Sequence, residues 1–145
     1  MIPGALSASA DILVGFFDVD AMKVVWHGNY ARYVEIGRNA LLEKIGFGYM
    51  DMEASGFSWP VVDLHIRYVQ PARLGQRLKV TASLVEWENR VRMEFVITDA
   101  ETGVKLTKAD SVQVAVDMRS GELQFETPEV FLSKVRSAMK GSLPP

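Results

Sequence analysis

The sequence predicts an α+β fold in which an antiparallel sheet of about five strands wraps around one long helix. Apolar residues between positions 29 and 45 recur at spacings of three and four, which marks one face of a helix. Beyond position 58 the apolar period changes to two and stays there for about sixty residues, as in successive strands. The connections between these strands are too short for parallel crossovers, so we expect antiparallel pairing.

The N-terminal third supplies the first strand and the helix. Residues 12–17 are apolar on both faces and few, which predicts a short buried strand that ends at residues 18–20. The helix is predicted from Asn29 to Ile45, and Gly46 supplies its stop. Residues 47–58 show neither period and are predicted to be irregular.

The remaining strands are predicted from alternating apolar and polar side chains. They cover residues 62–68, 78–84, 91–97 and 104–117. In the last strand Lys108 and Asp110 interrupt the apolar phase, which predicts a bulge. Thr127 is the predicted N-cap, and Pro128 the first residue, of a small C-terminal amphipathic helix. Without a repeat or linker, residues 1–145 are predicted to form a single domain.

Composition excludes several kinds of site. The 145 residues include no cysteine, which removes disulfides, thiolate nucleophiles and the usual structural zinc sites. His27 and His65 lack a metal-binding spacing, so neither a metal nor a cofactor is predicted. The formal net charge of -2 comes from 16 basic and 18 acidic side chains without a long run of one sign, which is unlike a nucleic-acid-binding protein.

The same features favour a soluble, cytoplasmic protein that associates with copies of itself. The N-terminus lacks the basic and apolar regions of a signal peptide, and no segment approaches the roughly 20 apolar residues of a membrane span. An edge strand with alternating Thr, Ser and Arg side chains is suited to pairing with a second copy. We therefore expect a homodimer or homotetramer with no nucleic-acid or membrane partner.

Two motifs carry a family resemblance. The first reads Phe-Phe-Asp-Val-Asp-Ala-Met-Lys-Val-Val-Trp-His-Gly-Asn-Tyr over residues 16–30 and continues as Arg-Tyr-Val-Glu-Ile-Gly-Arg over residues 32–38. The second reads Tyr-Val-Gln-Pro-Ala-Arg-Leu-Gly over residues 68–75. Together they resemble the 4-hydroxybenzoyl-CoA and YbgC-like thioesterase family, and the resemblance covers residues 12 to about 125. The first motif is fairly specific, whereas the second alone is weak.

The resemblance implies a hotdog fold, an acyl thioesterase and an active site formed between subunits. Asp20 falls on the family's catalytic carboxylate, and His27 matches a histidine of the YbgC-like branch. Trp26 stands where tyrosine is common. Lys23 departs from the pattern, since the family usually has glycine at this turn position. Trp26 and Lys23 are therefore predicted substrate contacts, although the lysine side chain can equally point to water.

Elementary chemistry supports the same assignment. A helix N-terminus presents unpaired N–H groups and a partial positive charge, which polarise a thioester carbonyl and stabilise the developing oxyanion. Gly28, Asn29 and Tyr30 are the expected backbone donors. Asp20 then attacks the carbonyl or deprotonates a water. His27 orients that water, binds the carbonyl or returns a proton to the thiolate, and the sequence does not separate these routes.

The thiol carrier is expected to be coenzyme A or an acyl carrier protein. The phosphates of CoA need arginine or lysine near the mouth of the site, and Arg90 and Arg92 are the first candidates. Glu88 and Asn89 in the same turn weaken the case for tight nucleotide binding, which keeps an acyl-carrier-protein substrate open. The sequence does not specify the acyl group.

Two other functions and two structural roles stay open. A hotdog enoyl-thioester hydratase or dehydratase usually places Asp and His closer together than the seven positions between Asp20 and His27. A non-catalytic acyl-thioester-binding module shares the fold as well. An aspartate before a helix is also typical of an Asx-turn, and Glu35 with Arg38 is typical of an ion pair between helix and sheet.

Overall fold

The structure is a computed structural model that describes residues 6–142. Its helices are α1 (Tyr30–Ile45), α2 (Tyr49–Ala54) and α3 (Glu129–Ser142). Its strands are β1 (Ser7–Leu13), β2 (Phe57–Ser58), β3 (Val61–Tyr68), β4 (Arg77–Glu86), β5 (Val91–Asp99), β6 (Lys105–Gln113) and β7 (Val116–Asp117). Two short 3-10 turns, Phe16–Asp18 and His27–Asn29, lie between β1 and α1.

Five strands form one antiparallel sheet in the order β1-β4-β5-β6-β3, and β2 pairs with β7 in a separate ribbon. The alternation in β4 buries one face against α1 through Leu78, Val80, Ala82 and Leu84. We call this side of the sheet the inner face and the opposite side the outer face. The predicted antiparallel sheet of five strands on one long helix is confirmed.

Helix α1 packs across β1, β4 and β5, and its bounds match the prediction within one residue. The helix ends at Gly46, which adopts a left-handed φ of 85° and donates its amide to the carbonyls of Leu42 and Glu43. None of the helices within residues 6–142 is long and apolar enough to cross a membrane.

Gly37 allows α1 to approach the sheet closely. A Cβ atom at this position would lie 2.7 Å from Cγ2 of Val80 and 3.4 Å from Cδ1 of Phe95. Both neighbours belong to the buried core, which leaves little room for either to move. A glycine at this point of α1 is therefore a packing requirement.

Strand β3 is an exposed edge of the sheet. Leu64 and Tyr68 lie opposite Ser111 and Thr107, whose side chains are buried on the inner face. Because α1 packs over the other half of the sheet, Leu64 and Tyr68 stay 39% and 51% exposed. An uncovered apolar face beside an unpaired strand edge is typical of an interface between copies.

Two local predictions are wrong. The first strand covers Ser7–Leu13 instead of residues 12–17, and its inner-face side chains include Ala8 and Ala10, which are too small to give a strong apolar signal. Residues 47–58 are not irregular, because they contain α2 and β2. A helix of six residues is too short to show a period.

Two further details also differ from the prediction. Lys108 and Asp110 stay in register with both neighbouring strands, and they interrupt the apolar phase because their positions belong to the outer face. The bulge falls at Leu106, which has no partner in β5. The hydroxyl of Thr127 makes no N-cap bond, since it is buried without a hydrogen-bond partner among residues 6–142.

The packing at Gly37 predicts that Gly37→Ala lowers the free energy of unfolding by about 1 to 2 kcal/mol, because overpacking strain exceeds the gain in helix propensity. Gly141→Ala is the matched control, since Gly141 also lies in a helix but has no atom within 4 Å of its Cβ position. This control should be neutral or stabilising by up to about 1 kcal/mol. Urea denaturation measures both, and equal effects would contradict close packing at Gly37.

Candidate active site

Residues 18–26 form a hairpin that leads from the 3-10 turn after β1 into the start of α1. The amide of Trp26 donates to the Asp18 carbonyl and the amide of Asp20 donates to the Val24 carbonyl, both at 2.9 Å. The amide of Lys23 donates back to the Asp20 carbonyl, also at 2.9 Å. These bonds place Asp20 at the closed tip of the hairpin.

The hairpin is docked on the turn between β3 and β4. The amide of Val25 donates to the Ala72 carbonyl at 2.8 Å, and the amide of Leu74 donates to the Lys23 carbonyl at 3.0 Å. The Ala72 amide donates in turn to the hydroxyl of Tyr30, the first residue of α1, at 3.1 Å. The two sequence motifs are therefore one structural unit.

Asp20 is exposed, and only one of its carboxylate oxygens is engaged within the described residues. Oδ1 accepts a hydrogen bond from the Met22 amide at 2.8 Å, which is an Asx-turn. Asp20 therefore has the Asx-turn role that the sequence left open. This role occupies one oxygen and leaves Oδ2 available to a ligand or a water.

The backbone conformation of Lys23 explains why related sequences usually have glycine at this position. It has a φ of 62° and is the one residue other than glycine with a positive φ in the described part of the chain. This left-handed conformation costs an L-residue with a side chain roughly 1 to 2 kcal/mol relative to glycine. The Lys23 side chain is exposed beside Asp20.

The start of α1 offers a different pair of free amides from the expected one. The amide of Asn29 donates to the Trp26 carbonyl at 2.8 Å, and that of Tyr30 donates to the His27 carbonyl. Within residues 6–142, no group accepts a hydrogen bond from the amides of His27 or Gly28. The 3-10 turn therefore consumes the donors of Asn29 and Tyr30 and leaves those of His27 and Gly28 free.

Trp26 and His27 shape the surface over these amides. Their rings lie 5.0 Å apart, and both side chains are exposed. A Cβ on Gly28 would lie 2.2 to 2.8 Å from atoms of the Trp26 ring, so the indole packs directly on this glycine. A cavity of about 250 Å³ opens between His27 and Tyr68, whose hydroxyl donates to the His27 carbonyl at 3.0 Å.

Asp18 is the important residue that sequence reasoning missed. Its buried carboxylate accepts hydrogen bonds from the Gly15 amide, at 2.9 Å, and from the Arg32 guanidinium. Burial alone raises the pKa of the Asp18 carboxyl, but the Gly15 amide, Tyr33 and Arg32 outweigh burial and lower the pKa below its usual value. Asp18 thus anchors the hairpin, whereas Asp20 stays exposed at its tip.

Arg90 and Arg92 do not join this site within one chain. Strand β4 separates them from it, and its ten residues span about 30 Å. The Arg90 Nε lies 3.1 Å from a carboxylate oxygen of Glu86. Arg92 binds Asp110 and Glu94, and the hydrogen bond to Asp110 raises the pKa of Arg92 above its usual value.

The Glu35–Arg38 pair predicted on α1 is present and borders a second cavity. The guanidinium of Arg38 binds Glu35 and donates to the Ser111 hydroxyl on β6 at 2.9 Å, which joins the helix to the sheet. The cavity has a volume of about 370 Å³ and is lined mainly by apolar and aromatic side chains from α1, α2 and β2. Burial lowers the pKa of Arg38, whose Nε has no partner in the described part of the chain.

No metal centre is present among residues 6–142, where no three His, Asp or Glu side chains are close enough to hold an ion. His27 lies at the helix start, as described above. His65 lies on the outer face of β3 opposite Asp110, so the two histidines lie on different elements.

The anchoring role of Asp18 predicts a pH-dependent stability difference. Asp18→Asn should lower the free energy of unfolding by about 1 to 3 kcal/mol at pH 7, because the variant loses the charged acceptor of Gly15 and Arg32. A lowered folded-state pKa stabilises above the unfolded value of about 3.9 and is lost as the pH falls through the folded value. The gap between wild type and variant should therefore shrink below pH 4 in denaturation curves. A gap that is constant with pH would contradict this role.

Comparison with known proteins identifies the family. Residues 14–135 match the family model described as the thioesterase-like superfamily. YneP of Bacillus subtilis (strain 168), which is provisionally named an acyl-CoA thioesterase, is 33% identical over 110 residues. This match covers 76% of the chain and 80% of YneP.

Solved structures share the fold. A hypothetical protein from Thermus thermophilus, TT1821, superposes with a TM-score of 0.81 at 27% identity, over 90% of this chain and 98% of that one. A 4-hydroxybenzoyl-CoA thioesterase variant complexed with 4-hydroxybenzoyl-CoA superposes with a TM-score of 0.78 at 19% identity, over 90% and 99%. The expected hotdog fold is confirmed. With a family match over most of its length, the chain belongs to the thioesterase-like superfamily.

Proposed function

We propose that the chain is a thioester hydrolase that releases a free acid and a thiol from acyl-CoA. One observation carries this proposal: the exposed Asp20 carboxylate lies at the tip of a hairpin whose base continues directly into the free amides of His27 and Gly28. Membership of the thioesterase-like superfamily supports hydrolysis, and the name of YneP supports CoA as the thiol.

The free amides supply the electrostatic part of the reaction. The thioester oxygen sits at the amides of His27 and Gly28, whose N–H groups and the dipole of α1 stabilise the negative charge that develops on it. Packing of the Trp26 indole on Gly28 keeps these donors beside an apolar surface. Hydrogen bonds are stronger where water is displaced, so this cover increases the stabilisation.

Asp20 supplies the reacting carboxylate. Oδ1 is held by the Met22 amide. The free Oδ2 either attacks the carbonyl carbon, which gives an acyl-aspartyl anhydride that water then hydrolyses, or takes a proton from the attacking water. The thiol product has a pKa of about 8.5, so it leaves as a thiolate without a full catalytic triad. The exposed His27 imidazole lies at the same helix start and can relay to the thiolate the proton that Asp20 takes from water.

The acyl chain is assigned to the cavity beside Arg38. With the carbonyl at His27, a helix rise of about 1.5 Å per residue puts Glu35 and Arg38 roughly 12 to 17 Å farther along α1. Trp59, Tyr49 and Leu42 line this cavity, which suits an extended unsaturated acyl chain, because a single aryl ring is too short to reach it from the carbonyl. The Glu35–Arg38 pair at its wall favours a group with a polar far end.

The active form is proposed to be a homo-oligomer in which β3 pairs with β3 of a second copy. Its unpaired edge and its exposed Leu64 and Tyr68 support this interface. Tyr68 also donates to the His27 carbonyl, so the interface lies next to the candidate site. Pairing through β3 would cover the open side of that site with the partner subunit.

Asp20→Asn tests the mechanism. We expect turnover of acyl-CoA to fall at least about 100-fold, the scale for loss of a positioned acid-base group, with thermal unfolding unchanged. Asp11→Asn is the matched control, because Asp11 is an exposed aspartate on β1. Thiol release from a panel of acyl-CoAs is the assay.

Near-normal turnover by the Asp20→Asn variant would remove Asp20 from the mechanism. Tight acyl-CoA binding by wild type without thiol release would favour the non-catalytic binding module instead. Loss of enoyl absorbance without thiol release would favour the hydratase or dehydratase. These outcomes separate the three functions in one set of assays.

Leu64→Lys tests the interface. Pairing would bury the introduced lysine charge of one copy close to the same charge of the second copy, which opposes association. We therefore expect light scattering to show monomers and turnover to fall at least about tenfold. Asp63→Lys is the matched control, since Asp63 is adjacent on β3 and points to the opposite face. An unchanged mass for the Leu64→Lys variant would exclude this interface.

A further inference from the structure

The outer face of the sheet contains four cations that form no ion pair within residues 6–142, and Asp11 of β1 lies opposite one of them, Lys79, in the strand register. Arg67, Lys79, Lys105 and Lys108 line a groove of about 680 Å³, which we call the cationic groove. All four are exposed. Arg90 and Arg92, the candidates chosen from sequence, are by contrast ion-paired.

The strand register brings like charges together in the groove. Arg67 lies opposite Lys108 across β3 and β6, while Lys79 and Lys105 each lie opposite Thr98 on β5. Like charges on neighbouring strands destabilise a sheet unless an anion lies between them. The groove is therefore preorganised for a negatively charged ligand.

The acidic residues of the groove cancel only part of this charge. Glu94 and Asp110 also line it, but both bind the guanidinium of Arg92. Thr81 and Thr98 contribute neutral hydroxyl groups. Two carboxylates on one guanidinium leave one negative charge uncompensated, and the four other cations keep the net charge of the groove positive.

A cavity at the end of the sheet lies near both the groove and the candidate active site. The backbone of Arg73 forms an isolated antiparallel β-bridge with Val24 of the Asp20 hairpin. Arg73 also lines the cavity, which has a volume of about 480 Å³. Val104 and Leu106 line the same cavity and flank Lys105 of the groove. Gln70 and Pro71 line both this cavity and the cavity beside His27, so it adjoins the candidate site on one side and Lys105 on the other. The carboxylate of Asp99 also lines it.

We propose that the cationic groove binds the phosphate groups of the nucleotide half of the CoA thioester. This inference rests on the proposed thioesterase function, because that function places the thioester at the start of α1 and so determines in which direction the CoA part extends. The acyl group extends along α1 from the helix start, and the pantetheine arm leaves past Arg73 toward Lys105. Several separate phosphates match several separate lysine and arginine side chains, and a groove of this volume accommodates a nucleotide.

The test compares acyl-CoA with the same acyl group on pantetheine, which has no phosphates. For the double variant Lys79→Gln, Lys105→Gln we expect the KM for acyl-CoA to rise about three- to tenfold, as for two exposed charge contacts, with kcat unchanged. The KM for acyl-pantetheine should not change. Lys134→Gln is the matched control, because Lys134 is an exposed lysine on α3 that forms no ion pair within residues 6–142.

Three kinetic results would overturn the proposal. An unchanged KM for acyl-CoA in the double variant, with a rise in an Arg90→Gln variant, would return the phosphates to the β4–β5 turn. An equal rise for acyl-pantetheine would mean that the groove does not act on phosphates. A rise confined to an acyl-carrier-protein substrate would assign the outer face to an acidic protein.

Calorimetric titration with free CoA separates this proposal from the thioesterase proposal. A several-fold loss of CoA affinity in the double variant supports the groove even if wild type hydrolyses no substrate. Equal affinity of wild type and variant for CoA overturns the groove even if both are active hydrolases. Surface glutamines leave the fold intact, and thermal unfolding of each variant confirms that.

Discussion

The arrangement of the site depends on a few backbone hydrogen bonds between the Asp20 hairpin and the turn after β3. The Val25 amide binds the Ala72 carbonyl, and the Leu74 amide binds the Lys23 carbonyl. These bonds satisfy polar groups that would otherwise be buried unpaired, so they resist slippage. Because the turn is continuous with β3 and β4, the register of the sheet fixes the position of Asp20 relative to α1.

Two aspartates separated by one residue have different roles because their environments differ. Asp18 is buried, binds Arg32 and the Gly15 amide, and has a lowered pKa that keeps it ionised as a structural acceptor. Asp20 is exposed and keeps one oxygen free. A nucleophile or base needs an accessible oxygen, and the carboxylate of Asp18 is buried with both oxygens hydrogen-bonded. The difference in burial therefore supports the proposed role of Asp20 independently of the family motif.

Sequence alone predicted the long-range features of the fold and missed the local ones. The period of α1 and the alternation of β4 and β5 extend over many residues. Because each element packs on one face, its apolar residues recur often enough to be recognised in the sequence. The free amides of His27 and Gly28 depend on a 3-10 turn of three residues, which leaves no periodic signal. The ion pairs of Arg92 depend on its register with Asp110 across two strands, and a sequence does not give that register.

Lys23 combines an unusual backbone conformation with a positive charge beside the candidate site. Its left-handed backbone costs energy that glycine would avoid, and strain of this kind concentrates where a side chain has a function. The Lys23 carbonyl binds Leu74, so the residue stands beside Arg73 and the cavity at the end of the sheet. The exposed positive charge of Lys23 therefore lies next to the proposed thioester site. On the proposed path of CoA across the molecule, the Lys23 charge attracts the phosphates on their way to the groove.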